Sequence, residues 1–106
     1  MSEITTRQVV HGRFWKKYLR LTRAGITTLR ALEIILEEER SPAFQEIIRH
    51  LHDRTRAGCP LSEAMGERAE EFSLTARELI RTAEKQGHWD RVIEELAGGL
   101  LEGTFH

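Results

Sequence analysis

Two copies of one tetrapeptide, Thr22-Arg23-Ala24-Gly25 and Thr55-Arg56-Ala57-Gly58, divide this chain at points thirty-three residues apart. Each copy closes one helical pattern of apolar residues and opens another. Glycine is the residue that enters left-handed backbone without penalty, so it is the natural stop for a helix that must turn back. The segments after the two copies are Ile26-Thr27-Thr28-Leu29-Arg30-Ala31-Leu32 and Cys59-Pro60-Leu61-Ser62-Glu63-Ala64-Met65, and residues 22–32 match residues 55–65 at five of eleven positions. A third break, Ala83-Glu84-Lys85-Gln86-Gly87-His88-Trp89-Asp90, lies near the C-terminus. Gly25, Gly58 and Gly87 therefore read as three structural turns. They are too few, and too unlike array signatures, to make a solenoid.

Between the breaks the apolar period is helical throughout. Val10, Phe14, Tyr18 and Leu21 predict a first helix from about Thr6 to Arg23, although Gly12 costs ~1 kcal/mol relative to alanine and moves the expected start toward Arg13. Leu29, Leu32, Ile35 and Leu36 mark a second helix, capped by Thr27 or Thr28. Ser41-Pro42 opens a third, whose Phe44, Ile47, Ile48 and Leu51 form one stripe. A short fourth helix follows Leu61, with Ser62 as its expected cap and Ala64 and Met65 turned inward. Thr75 and Glu78 have capping-box spacing and predict a fifth, with Leu79, Ile80 and Ala83 buried. Trp89, Val92, Ile93, Leu96 and Leu100 predict a sixth, loosened at its end by Gly98 and Gly99. Six helices joined by short turns give an all-α fold of three helical hairpins. Residues 1–12 are the tail or start of the first helix, 13–101 the domain, and 102–106 a frayed end.

The 106 residues suit one domain with a modest core. Cys59 is the single cysteine, so neither an intramolecular disulfide nor a thiolate metal cluster is expected, which suits a reducing compartment. No apolar h-region opens the chain and no stretch approaches the roughly 20 apolar residues that span a bilayer. A soluble cytoplasmic domain is expected.

Net charge is -1, so no global field favours nucleic acid. The distribution is uneven: residues 1–30 hold seven bases and one acid, and the remainder nine bases and sixteen acids. Arg13, Lys16, Lys17, Arg20 and Arg23 recur at spacings of three, one, three and three, with Trp15 interleaved. Such a face can lie on anionic lipid, on a protein, or on a phosphate backbone. It can equally be a solvated flank whose arginine stems cover apolar neighbours, with the two halves of the chain neutralising one another. Nucleic acid is the least favoured of these partners.

Candidates for chemistry are sparse. His50 and His52 project roughly 200° apart on a helix and cannot share an ion. His11, His88 and His106 lack ligand spacing, and the histidines are read as solvent-facing or half-buried. Cys59 sits at a helix C-terminal end, where the dipole disfavours a thiolate. Glu84 and Asp90 flank the third turn. They read first as caps of the helix that follows, with Asp90 in its first turn, and secondly as two oxygen donors for calcium, too few for a complete site without a second chain or water. No nucleophile–base pair or full metal set can be assembled, so no enzymatic role is expected.

Taken in order, these elements resemble the cytoplasmic F domain of the inner-membrane platform proteins of type II secretion and type IV pilus assembly. The family pattern begins with an Ala-Gly turn and a Leu-x-x-Ala-Leu element. Here that is Ala24-Gly25-Ile26-Thr27-Thr28-Leu29-Arg30-Ala31-Leu32, one residue shorter between the leucine and Ala-Leu. Gly-x-x-Leu-Ser-x-Ala-hydrophobic follows as Gly58-Cys59-Pro60-Leu61-Ser62-Glu63-Ala64-Met65, and then a phenylalanine, Phe72. The last element, Gly-Glu-x-Ser-Gly-x-Leu, is approximated by Ala83-Glu84-Lys85-Gln86-Gly87-His88-Trp89, with Ala83, Gln86 and Trp89 departing from the pattern.

The resemblance implies an antiparallel six-helix bundle on the cytoplasmic side of a bacterial inner membrane, peripheral to or part of the platform. It implies binding to the assembly ATPase and other platform subunits, self-association as a homodimer, and a calcium ion near the third turn through Glu84 and, more distantly, Asp90. Family members usually carry two such domains and several membrane helices, so this chain is expected to be an excised domain or a free-standing relative. The competing reading is a free-standing helical adaptor or regulator that touches nucleic acid through the 13–23 face.

Overall fold

The computed structural model describes residues 5–103, and among these it has six helices and no strand. They are α1 (Thr6–Arg23), α2 (Thr28–Glu38), α3 (Pro42–Arg56), α4 (Leu61–Gly66), α5 (Leu74–Gln86) and α6 (Trp89–Glu102). Each helix packs on the next in sequence, and α1 packs most extensively on α6, which joins the two ends of the chain.

The two tetrapeptide copies close with the same pair of hydrogen bonds. Gly25 and Gly58 have φ of +88° and +97°. The Gly25 and Ile26 amides donate to the Thr22 and Leu21 carbonyls at 3.0 and 3.1 Å, and the Gly58 and Cys59 amides to the Thr55 and Arg54 carbonyls at 3.0 and 2.9 Å. This is the paired Schellman closure, which satisfies the carbonyls a helix end leaves open. The third elbow is a different motif. Gly87 is itself the cap, at φ +78°, and its amide makes a single bond to the Ala83 carbonyl at 2.7 Å.

Several expected boundaries shift for local reasons. Gly12 does not delay α1, which starts at Thr6 under a reciprocal capping box between Thr5 and Gln8. The glycine is a contact point instead: a Cβ there would come within 2.6 Å of Leu101 Cγ on α6. Ser62 does not cap α4. Pro60 holds that position without a side-chain bond, and Ser62 is one residue inside the helix. The cap of α5 is Ser73, whose hydroxyl accepts from the Ala76 amide, and not Thr75. Gly98 and Gly99 do not end α6, which runs on to Glu102 and closes on left-handed Gly103. The expectations for residues 1–4 and 104–106 lie outside the described residues.

The core is a set of aliphatic side chains around aromatic rings on α1. Trp15, Leu32, Ile48, Leu51, Met65, Phe72, Ile80, Ile93 and Leu96 are its largest enclosed members. Phe14 meets Trp15 edge-on at 4.8 Å between centroids, and Trp15 meets Tyr18 at 5.7 Å. The expected stripe on α1 is therefore too narrow. Phe14 and Tyr18 are buried as the pattern requires, Val10 and Leu21 are only half-buried, and Gln8, His11, Trp15 and Leu19 also turn inward.

Candidate interaction surface

The basic residues of α1 do not form one free face. Trp15, which the sequence places among them, is 0% exposed. Lys17 pairs with Glu38 on α2. Arg23 reaches across to α6, where its guanidinium meets Asp90 at 3.3 Å and Glu94 at 3.1 Å, and these two carboxylates raise its pKa further. Arg13, Lys16 and Arg20 remain exposed and make no ion pair among the described residues. Charge complementation between the two halves is thus real for Lys17 and Arg23, and leaves three cations toward solvent.

Lys16 and Arg20 border a groove of about 560 Å³ between α1 and α6. Leu19, Ala97, Gly98 and Leu101 form its apolar floor, and Glu94 and Glu102 stand on the α6 side. Its α6 residues do not stand out in the sequence pattern, where Gly98 reads as a loosening of the helix end. The run of three small residues Ala97-Gly98-Gly99 in an otherwise bulky helix is the available signal.

At the third turn the two acidic candidates are separated by their partners. Glu84 caps α4, not the helix that follows it: one carboxylate oxygen accepts the Ser62 amide at 3.0 Å and the other the Ser62 hydroxyl at 2.5 Å. That supplies the cap α4 lacks from its own side chains and ties α4 to α5. Asp90 lies in the first turn of α6, where a carboxylate suits the helix dipole, and it faces Arg23. No cluster of three or more His, Cys, Asp or Glu side chains suited to a metal occurs among the described residues.

Two histidines are structural in opposite senses. His11 is buried, against the expectation of solvent-facing or half-buried histidines, and its ring lies 5.0 Å from Phe72 and 5.4 Å from Phe44. Burial holds its pKa below the ordinary 6.5, opposed by the hydrogen bond from Nε2 to Glu71 at 2.7 Å. His52 touches two carboxylates, Asp53 through Nδ1 and Glu33 of α2 through Nε2, each at 3.0 Å. Both ring nitrogens donate only in the imidazolium, and the bond to Asp53 leads in raising its pKa above 6.5. The stability these two bonds give together is complete below pH 6.5 and is lost as pH rises through the higher folded pKa. The chemical denaturation midpoint should accordingly gain a downward component above pH 6.5 that His52→Gln abolishes. An unchanged pH profile in that variant would show that neither carboxylate contact of His52 carries weight. Cys59 is half-buried, and desolvation raises its thiol pKa, the reverse of what a nucleophile requires.

A family profile described as type II secretion system (T2SS), protein F, matches residues 14–102. The chain belongs to this family. It is similar to the type II secretion system protein F of Vibrio cholerae serotype O1, with 26% identity over 77 residues. That match covers 73% of this chain and 19% of the relative, so the chain spans about a fifth of the relative's length. The protein F profile encloses all three elbows and both walls of the α1–α6 groove. No described helix is long and apolar enough to cross a membrane.

Proposed function

We propose that this domain is a non-catalytic cytoplasmic scaffold of a type II secretion or type IV pilus inner-membrane platform, binding the assembly ATPase and other platform subunits. The observation that carries the reading is the protein F match over residues 14–102. Consecutive helices joined by short turns, with α1 on α2, α3 on α4 and α5 on α6, support three hairpins in an antiparallel bundle. Three cations left without ion pairs on α1 support a surface kept for docking. Self-association belongs to the same reading, and a calcium ion held by Glu84 or Asp90 would draw its remaining oxygens from a second copy or from water.

The test is capture of a purified secretion ATPase, and separately of the other platform subunits, on the immobilised domain. Saturable binding at micromolar concentration is expected for at least one of them. Failure of all of them at high micromolar concentration would count decisively against a scaffold role.

A further inference from the structure

We infer that the α1–α6 groove is a docking site for an amphipathic helix whose flank facing α1 is acidic. This deepens the scaffold reading, and rests on it for the existence of a protein partner. The first observation is shape. The groove has room for several apolar side chains, and Gly98 leaves it open: a Cβ built there meets nothing within 4 Å. A helix laid in such a channel buries residues at i, i+3, i+4 and i+7. The second observation is charge. Lys16 and Arg20 are four apart, so they rise from one side of α1 as a rail beside the apolar floor, and neither has an ion-pair partner among the described residues.

The third observation fixes polarity. The opposite wall carries Glu94, already held by Arg23 at 3.1 Å, and Glu102, which has no ion-pair partner among the described residues, so the groove is basic on one side and keeps a free carboxylate, Glu102, on the other. Arg23 does not add to the rail, because Asp90 and Glu94 already hold it. An occupant acidic on both flanks would meet repulsion at α6. One with carboxylates toward α1 and neutral or basic residues toward α6 is matched along both edges, which gives orientation as well as attraction. A flat anionic membrane would satisfy Lys16 and Arg20 but would not enter the channel, and it would be repelled by the α6 wall. The concavity therefore favours a helix over a lipid surface.

The test is a display library of 16-residue helical peptides with a fixed Leu/Ala face and both flanks randomised among Glu, Gln and Lys, selected on the folded domain. Enrichment of Glu on one flank only is expected. A selected peptide, labelled and titrated by fluorescence anisotropy, should lose at least tenfold in affinity for Gly98→Leu, which fills the channel, and for Lys16→Glu/Arg20→Glu, which inverts the rail. Both variants alter sites that face solvent or open space, and matching thermal melts establish that they fold. Gly98→Ala serves as the smaller plug if leucine perturbs α6.

No enrichment, enrichment of Lys on both flanks, or binders indifferent to both variants would overturn the inference. So would attachment to phosphatidylglycerol vesicles that depends on Lys16 and Arg20 but not on Gly98, without peptide selection. Platform subunits that still bind both groove variants would sink this site and leave the scaffold reading standing. Absence of any subunit binding by the unaltered domain would remove the scaffold reading itself.

Discussion

Trp15→Ala is expected to destabilise the domain by about 3–5 kcal/mol, the range for emptying a fully enclosed aromatic site. Small domains hold only about 5–15 kcal/mol in total, so the variant should be close to its unfolding threshold at growth temperature. The indole is 0% exposed and is braced by Phe14 and Tyr18, and its loss opens a hole in the helix that packs most extensively against α6. Its Nε1–H is buried without a hydrogen-bond acceptor. An unsatisfied buried donor costs about 1–3 kcal/mol, which partly offsets the apolar gain of the ring. Trp15→Phe removes that donor and keeps most of the ring, so it should cost well under half as much. Urea denaturation of the two variants checks this. Equal losses for Phe and Ala would show that the indole nitrogen has a partner in solution, and a small loss for Ala would show that the α1 core is loose.

Trp15 also marks the limit of what periodicity reveals. On α3, four apolar residues at helical spacing name the buried face correctly, because nothing else on that helix competes for the core. On α1 the apolar and basic positions interleave, and the pattern assigned Trp15 to the charged face. Both faces of α1 are used, since α1 packs against α2 as well as α6, and a helix between two neighbours buries a wider arc than one stripe. The glycine elbows were legible for the opposite reason. A positive φ is a local demand that one residue type meets, and the repeated tetrapeptide repeats its hydrogen bonds as well.

The candidate site was legible only in part. Five bases at helical spacing are visible in the sequence, but which of them are neutralised depends on Glu38, Asp90 and Glu94, which approach from other helices. Glu84 was recognised as a capping residue and assigned to the wrong helix. Its partner, Ser62, lies twenty-two residues earlier, and no local rule links the two. The groove needs two walls from opposite ends of the chain, so neither helix read alone announces it.

Phe72→Ala is expected to cost about 3–5 kcal/mol, although Phe72 lies in an irregular turn and not in a helix. Its side chain is 1% exposed and is the anchor that holds residues 67–73 against the body of the domain. The ring covers one side of His11, and the same turn supplies Glu71 to the His11 ring and the Glu70 carbonyl to Arg7 at 2.9 Å. The substitution should therefore have a second readout that simple loss of packing would not give. In the parent chain burial keeps His11 below its ordinary pKa, so its contribution to stability is full above pH 6.5 and falls away as pH drops through 6.5 toward the folded value. With Phe72 removed, water reaches the imidazole while Glu71 still attracts its charged form. The His11 pKa should then rise toward or past 6.5, and the acid-side loss of stability attributable to it should vanish. An NMR titration of the His11 ring beside urea denaturation between pH 5 and 7 measures both effects. A large loss of stability with an unmoved His11 would mean that Phe44 alone keeps the ring dry, and a cost below about 1 kcal/mol would mean that the turn is held by Arg7 and Glu71 and not by its aromatic anchor.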